Sequence, residues 1–168
     1  PATSAAFADG SVNLYSSRHY DTDERLYSDF EEQTGITINR IEGNADELIE
    51  RLKAEGRNSP ADVLLTVDAG RIWRAADAGL LQPVDSELLE ERIPAALQHP
   101  DNLWFGFSTR ARIIFYAKDR VTEPPQTYDA LADPKYKGQI CIRSGLDIYN
   151  LSLLASRIAE EGEEKAEA

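Results

Sequence analysis

Strand-like and helix-like stretches alternate three times in the first half of this chain, and no other feature constrains the fold as tightly. Residues 12–16 (VNLYS) read as a short strand. Asp21 with Glu24 three residues later reads as a capping box, and Leu26, Tyr27 and Phe30 recur at helical spacing until Gly35 stops the run. Ile36, Ile38 and Ile41 bring back a β-branched strand. Asn44 with Glu47 repeats the start signal, and Ala45, Leu48, Ile49 and Leu52 form an apolar stripe that ends before Gly56. Residues 61–67 (ADVLLTV) are nearly continuously apolar, as expected of a strand buried on both faces. Asp68 can cap the next helix, in which Ile72, Ala75 and Ala76 lead to Gly79. This rhythm predicts βαβ units and a parallel sheet, an α/β fold.

From Leu80 the rhythm breaks. Pro83, Pro94 and Pro100 flank one short helix over residues 86–92, and two strands are expected at 104–107 and 113–117. Pro124, Pro125 and Pro134 frame an irregular section. A strand at 139–143 and a helix at 148–161, carrying Leu151, Leu154, Ala155 and Ile158, come next. The order is a βα half, an irregular crossing and the start of another βα half. We therefore expect a loose N-terminal arm at 1–10, a first lobe at 11–105, a hinge crossing at 106–110 and a partial second lobe at 111–168. The ending, EEGEEKAEA, holds five Glu and reads either as a solvated acidic tail or as a chain cut inside its second lobe.

Composition removes several classes of function. The net charge is −12, which argues against a nucleic-acid binder, whose affinity rests on basic residues, and against docking on anionic lipid. A hydrophobic content of 42% suits a globular domain, and no stretch approaches the roughly 20 apolar residues of a membrane span. No stretch has the charged and apolar regions of a secretory leader, as expected of a mature exported protein or of a cytoplasmic one. The lone Cys141, between Ile140 and Ile142, is expected to be a buried inert thiol and rules out a Cys-rich metal site.

Ligands of open α/β sheets bind beyond the carboxyl ends of the strands. Four segments meet that condition: Ser16 to Tyr20, Gly43 to Asp46, Val67 to Ala69 and Ser144 to Tyr149. The first sets His19 and Tyr20 side by side after a strand, and the last sets Tyr149 at a helix entrance. Imidazole and phenolate both ligate iron, and a phenol must lose its proton to do so, which a trivalent cation favours more than a divalent one. The competing reading is that the His–Tyr pair is incidental and Tyr149 covers the core edge. Arg18, Arg110 and Arg112 can bind an anion or lie on the surface. His99 precedes Pro100 without a nearby partner, and the chain carries no GxGxxG, P-loop, GxSxG or HExxH.

Four phrases, LYSSRHYDTDERLYSDFEEQTGI, IEGNADELIERLKAEGRNSPADVLLTVDAGRIWRAADAGLLQPV, LWFGFSTRARIIFYAKDRV and YDALADPKYKGQICIRSGLDIYNLSLLAS, together resemble one family. The chain is similar, from about residue 12 onward, to the ferric-ion substrate-binding proteins of ABC transporters, the iron-deficiency-induced type. The resemblance implies a type II periplasmic binding protein, with two lobes of mixed, mostly parallel sheets flanked by helices, that closes on Fe(III). Its RHY phrase implies ligation by Tyr20 and His19, and its IYN phrase by Tyr149. Arg18 and Arg110 become groups that offset phenolate charge or hold an accompanying synergistic anion. The family adds a tandem tyrosine pair that this sequence lacks, so the second lobe is expected to be incomplete here, with the missing C-terminal portion of the same protein as a partner. An ABC permease is the other implied partner, and the periplasm the implied location, with neither nucleic acid nor stable membrane insertion involved. Two alternatives remain open: the same fold carrying a small organic anion or polyamine, and an enzyme on this scaffold with His19 as a general base.

Overall fold

The computed structural model describes residues 10–18 and 20–167, so most of the expected N-terminal arm and His19 lie outside the described residues. Strand β1 (Ser11–Ser16) leads through helix α1 (Asp21–Thr34) to β2 (Thr37–Glu42), and α2 (Ala45–Glu55) leads to β3 (Val63–Leu65) and α3 (Ala69–Asp77). The three strands form one parallel sheet in the order β2-β1-β3, with Ser11 to Ser16 facing Thr37 to Glu42 and Leu14 to Ser16 facing Val63 to Leu65. The predicted βαβ pattern is thus present, with the first strand at the centre.

The core sits where β1 meets α2. Tyr15, Leu48 and Leu52 are buried together, with Ile41, Ala61, Leu64 and Leu80 packed around them. A fully buried phenol needs a hydrogen-bond partner, and Tyr15 donates to both carboxylate oxygens of Glu55 at 2.9 and 3.0 Å. Glu55 also accepts from Arg51 and from Ser59 Oγ, each at 2.7 Å. Burial, then the Glu55 carboxylate, pushes the Tyr15 phenol above its ordinary range. Arg51 and Ser59 hold Glu55 below the usual carboxylate range.

The helix boundaries reflect local chemistry. Asn44 accepts from the Asp46 N–H at 2.9 Å to start α2, and Gly35 ends α1 in the left-handed region at φ 72°. The capping box expected at Asp21 and Glu24 does not form. The residue before α1 is Tyr20, Asp21 is already helical, and Glu24 pairs with Arg40 of β2 instead.

Three other expectations are corrected. β3 is shorter than the apolar run and is an edge strand, because it pairs only with β1; Val63 is 47% exposed rather than buried on both faces. The strands expected at 104–107, 113–117 and 139–143 are absent among the described residues, save for an isolated bridge between Gln98 and Phe105. A strand exists only beside a partner that takes up its N–H and C=O groups. Among the described residues none runs beside 113–117 or 139–143, and Phe115 and Ile142 stand 85% and 66% exposed. For the same reason Cys141 is exposed rather than buried.

The rest is connection and helix. α4 (Glu87–Arg92) is capped by Ser86, α5 (Ile148–Glu161) matches its expected span, and the acidic ending forms a short helix, α6 (Glu163–Glu167). Glu161 receives both Arg157 and Lys165, so this acidic end is partly neutralised from its own helices. Among the described residues no helix is long and apolar enough to cross a membrane.

Replacing Tyr15 with Phe removes one buried hydrogen bond but leaves Glu55 its other two donors. We expect a loss of about 1 kcal/mol. Tyr15→Ala opens a cavity beside Leu48 and Leu52 and should cost about 3–5 kcal/mol. Urea denaturation followed by far-UV circular dichroism reads both values.

Candidate metal centre

The first limb of the candidate centre grows from the end of β1. Ser16 is fully buried, and its hydroxyl accepts from the Arg18 N–H at 3.1 Å, which bends the chain out of the sheet. The Arg18 guanidinium then turns back onto α1, where Asp23 takes it in a two-pronged bond, Nε to Oδ2 at 2.7 Å and Nη2 to Oδ1 at 2.8 Å. Asp23 is 5% exposed, and Arg18 holds its carboxyl below the usual range against the opposing effect of burial. With its charge held there, Arg18 places Cζ 5.1 Å from the ring centre of Tyr20. Tyr20 keeps 41% of its surface exposed.

The second limb is the entrance to α5. Asp147 caps the helix by accepting from the Tyr149 N–H at 2.9 Å and also receives Arg143 at 3.1 Å. The Tyr149 N–H, and after it Arg143, holds the Asp147 carboxyl below its ordinary range. Asn150 Nδ2 donates to the carbonyls of Arg143 and Ser144 at 2.7 and 2.9 Å, fixing the loop that leads in. Two guanidiniums flank the half-buried Tyr149 ring, Arg112 with Cζ at 5.3 Å and Arg143 with Cζ at 5.2 Å. Arg112 also donates to the Tyr149 carbonyl, while the Tyr128 hydroxyl donates to the carbonyl of Arg112.

Arg110 connects the limbs. Its Nη2 donates to Tyr20 Oη at 3.2 Å across ninety positions of sequence. Its guanidinium is held above the ordinary arginine range by that bond and by the charge of Tyr20, then by the charge of Tyr149, with Arg18 opposing. Arg18, Tyr20 and Arg110, all singled out in the sequence, are in direct contact, and Tyr149, also singled out, acts on Arg110 through its charge alone. Sequence alone reads Arg112 only as an anion binder or a surface residue, and Arg143 not at all. The available signal for Arg143 is its place four residues before a helix-capping Asp.

Phenol oxygens are hard donors of the kind that suit a highly charged cation, and neighbouring guanidiniums favour the phenolate form that would ligate it. Among the described residues no group of three or more His, Cys, Asp or Glu gathers in a way that could hold a metal ion, so the candidate centre rests on its phenols. His99 has a local role, its Nδ1 accepting from the Asp101 N–H at 3.0 Å and its ring meeting Trp104 edge-on. A shallow groove lined by Asp46, Glu50, Lys53, Arg74 and Asp77 carries mixed charge and contains neither tyrosine.

Residues 25–164 match the family of bacterial extracellular solute-binding proteins. The chain belongs to that family. Among its relatives, Iron uptake protein A1 of Synechocystis is 58% identical over 154 residues, which is 91% of this chain and 43% of that protein. A Trichodesmium protein (IdiA, FutA) solved in complex with iron and citrate superposes with a TM-score of 0.86 at 57% identity, covering 94% of this chain and 50% of the other. A ferric binding protein from Campylobacter jejuni gives 0.85 at 45% identity, over 92% and 50% of the two chains. The α/β fold with a parallel sheet flanked by helices is thus that of these solute-binding proteins, and the chain spans about half the length of the relatives it matches.

The Arg18–Asp23 pair makes an acid-side prediction. Asp23 titrates below its unfolded value of about 3.9, so its contribution is fully present above that value and is lost as pH falls through the lower folded one. Asp23→Asn should cost about 2 kcal/mol at neutral pH. It should also flatten the fall in stability over that acid window, as measured by denaturant midpoints from pH 7 downward.

Proposed function

We propose that this chain forms part of a periplasmic protein that binds Fe(III) through tyrosinate oxygens and hands it to an ABC permease. The observation that supports this reading is the Arg110 bond to Tyr20, which ties a phenol after β1 to the segment from 106 to 110 across ninety positions of sequence. In this reading Tyr20 and Tyr149 are ligands, His19 beside Tyr20 is a further donor, and Arg18 and Arg110 offset the phenolate charge. A synergistic anion is a natural further component, since among the described residues neither Arg110 nor Arg112 forms a salt bridge.

The same reading divides the chain into a first lobe at 11–105, a crossing at 106–110 and a partial second lobe at 111–168. Closure about the crossing brings the two tyrosines onto one ion, and Arg110, at the end of the crossing, moves with them. The exposed apolar stretches at 113–117 and 139–143 are then faces that the remaining length of the protein covers. Permease recognition and periplasmic location belong to the same transport role. Catalysis is not needed for it.

The test is a ferric citrate titration of the metal-free full-length protein, monitored through the phenolate-to-iron charge-transfer band. Wild type should saturate at one iron per protein, with affinity falling as pH falls because protons compete for the ligand oxygens. Tyr149→Phe should lower the affinity by about a hundredfold or more, since even groups that merely support a ligand cost about 10–100-fold when removed. Its melting temperature without iron should stay near that of wild type. A variant that unfolds, with unchanged iron affinity in its folded fraction, would instead make Tyr149 a packing residue. The absence of a band in wild type, with a melting temperature raised by a small organic anion, would move the function to anion binding.

A further inference from the structure

One carboxylate ties the end of β3 to the helix that carries Tyr149. Asp68 Oδ1 accepts from the Gly70 N–H at 2.9 Å, which starts α3, and the same oxygen accepts from Ser152 Oγ of α5 at 2.6 Å, across 84 positions of sequence. Asp68 holds this pose at φ 75°, in the left-handed region that non-glycine residues seldom enter. A residue kept there against its preference is over-determined by what surrounds it, and such positions gather at functional sites.

The approach is close as well as bonded. A Cβ on Gly70 would lie 2.9 Å from Ile148 Cδ1 and 3.2 Å from Ser152 Oγ, so only a glycine lets the first turn of α3 meet α5 at this depth without displacing a side chain. Ile148 and Ser152 are four residues apart and share the face of α5 turned to α3. Tyr149 is next to Ile148 on the helix and meets Arg112 and Arg143 instead. The apolar contact of Ile148 alone has no preferred rotation. A hydroxyl donated to a carboxylate is short, strong and directional, and so fixes how α5 is turned about its axis.

We propose that Asp68, acting through Ser152, is a positioning residue for Tyr149: the bond sets the depth and rotation of α5 so that Tyr149 is presented toward Tyr20. This rests on the ferric reading above, and the experiment separates the two. In the full-length protein, Ser152→Ala keeps a good helix former and leaves the Asp68 cap on Gly70 intact. It should release iron to a chelator about tenfold faster than wild type, the effect of one hydrogen bond to a charged group. It should also shift the tyrosinate charge-transfer band, while the metal-free melting temperature changes little. Ser152→Thr, which keeps the hydroxyl, should restore the release rate and the band. Asp68→Asn keeps the Oδ1 acceptor and the cap on α3 but removes the charge that strengthens the Ser152 bond. It should shift release and band in the same direction as Ser152→Ala but less, and it serves as the second probe if that variant folds poorly. Wild-type release and an unshifted band in both variants would overturn the positioning role and leave the ferric reading standing. A wild-type protein without the band would overturn the ferric reading and this role with it.

Discussion

Everything in the described structure depends on the burial of β1 between two parallel neighbours. A strand in that position has its backbone groups taken up on both sides, and its last three residues, Leu14, Tyr15 and Ser16, are among the deepest in the chain. Tyr15 anchors α2 through Glu55, and Ser16 turns the chain outward at the strand's carboxyl end. Arg18 and Tyr20, just beyond that turn, are therefore presented from a rigid base. That is the arrangement in which a parallel sheet places its ligand groups.

The electrostatics of the neighbourhood run against the chain as a whole. A molecule with a net charge of −12 gathers Arg18, Arg110, Arg112 and Arg143 around two phenols. They fall into two kinds. Arg18 is matched by Asp23 and Arg143 by Asp147, so each brings a partly compensated charge to its phenol. Arg110 and Arg112 contact the tyrosines without a salt bridge among the described residues, and they remain as uncompensated positive charge. The acidic remainder of the chain makes this arginine-rich neighbourhood the exception rather than the rule.

How much of this is legible in the sequence depends on what each element needs in order to form. α2 is readable because Asn44, the stripe from Ala45 to Leu52 and Gly56 are all local signals, and its structure uses each of them. The capping box at Asp21 is a false signal because Glu24 has a better partner in Arg40, which only the fold brings near. The runs at 113–117 and 139–143 carry the right residue types for strands, but pairing is a property of two segments, and no sequence pattern states whether the second is present. Tyr20 and Tyr149 stand out by position after predicted strands and by resemblance. Arg143 does not, because an arginine beside a ring is placed by the loop that Asn150 fastens. Asp68 is readable as a cap and nothing more. Its second bond, to Ser152, spans a separation that local reasoning cannot bridge.

Charge balance carries the proposed ferric site one step further. Two phenolates would neutralise Arg110 and Arg112 and leave nothing for the ion, whereas Fe(III) brings three more positive charges into a setting where hard anionic oxygens are its preferred partners. Three of the four guanidiniums cannot move far away, since Arg18 and Arg143 are fastened to carboxylates and Arg112 to the Tyr149 carbonyl. A neutral outcome then requires further anionic donors, either more phenolates from the remaining length of the protein or a small anion on Arg110 and Arg112. On the second route the metal and its anion would enter and leave together. In the proposed site, the arginines that would make a phenolate easier to form would also keep Tyr20 and Tyr149 from holding the ion alone.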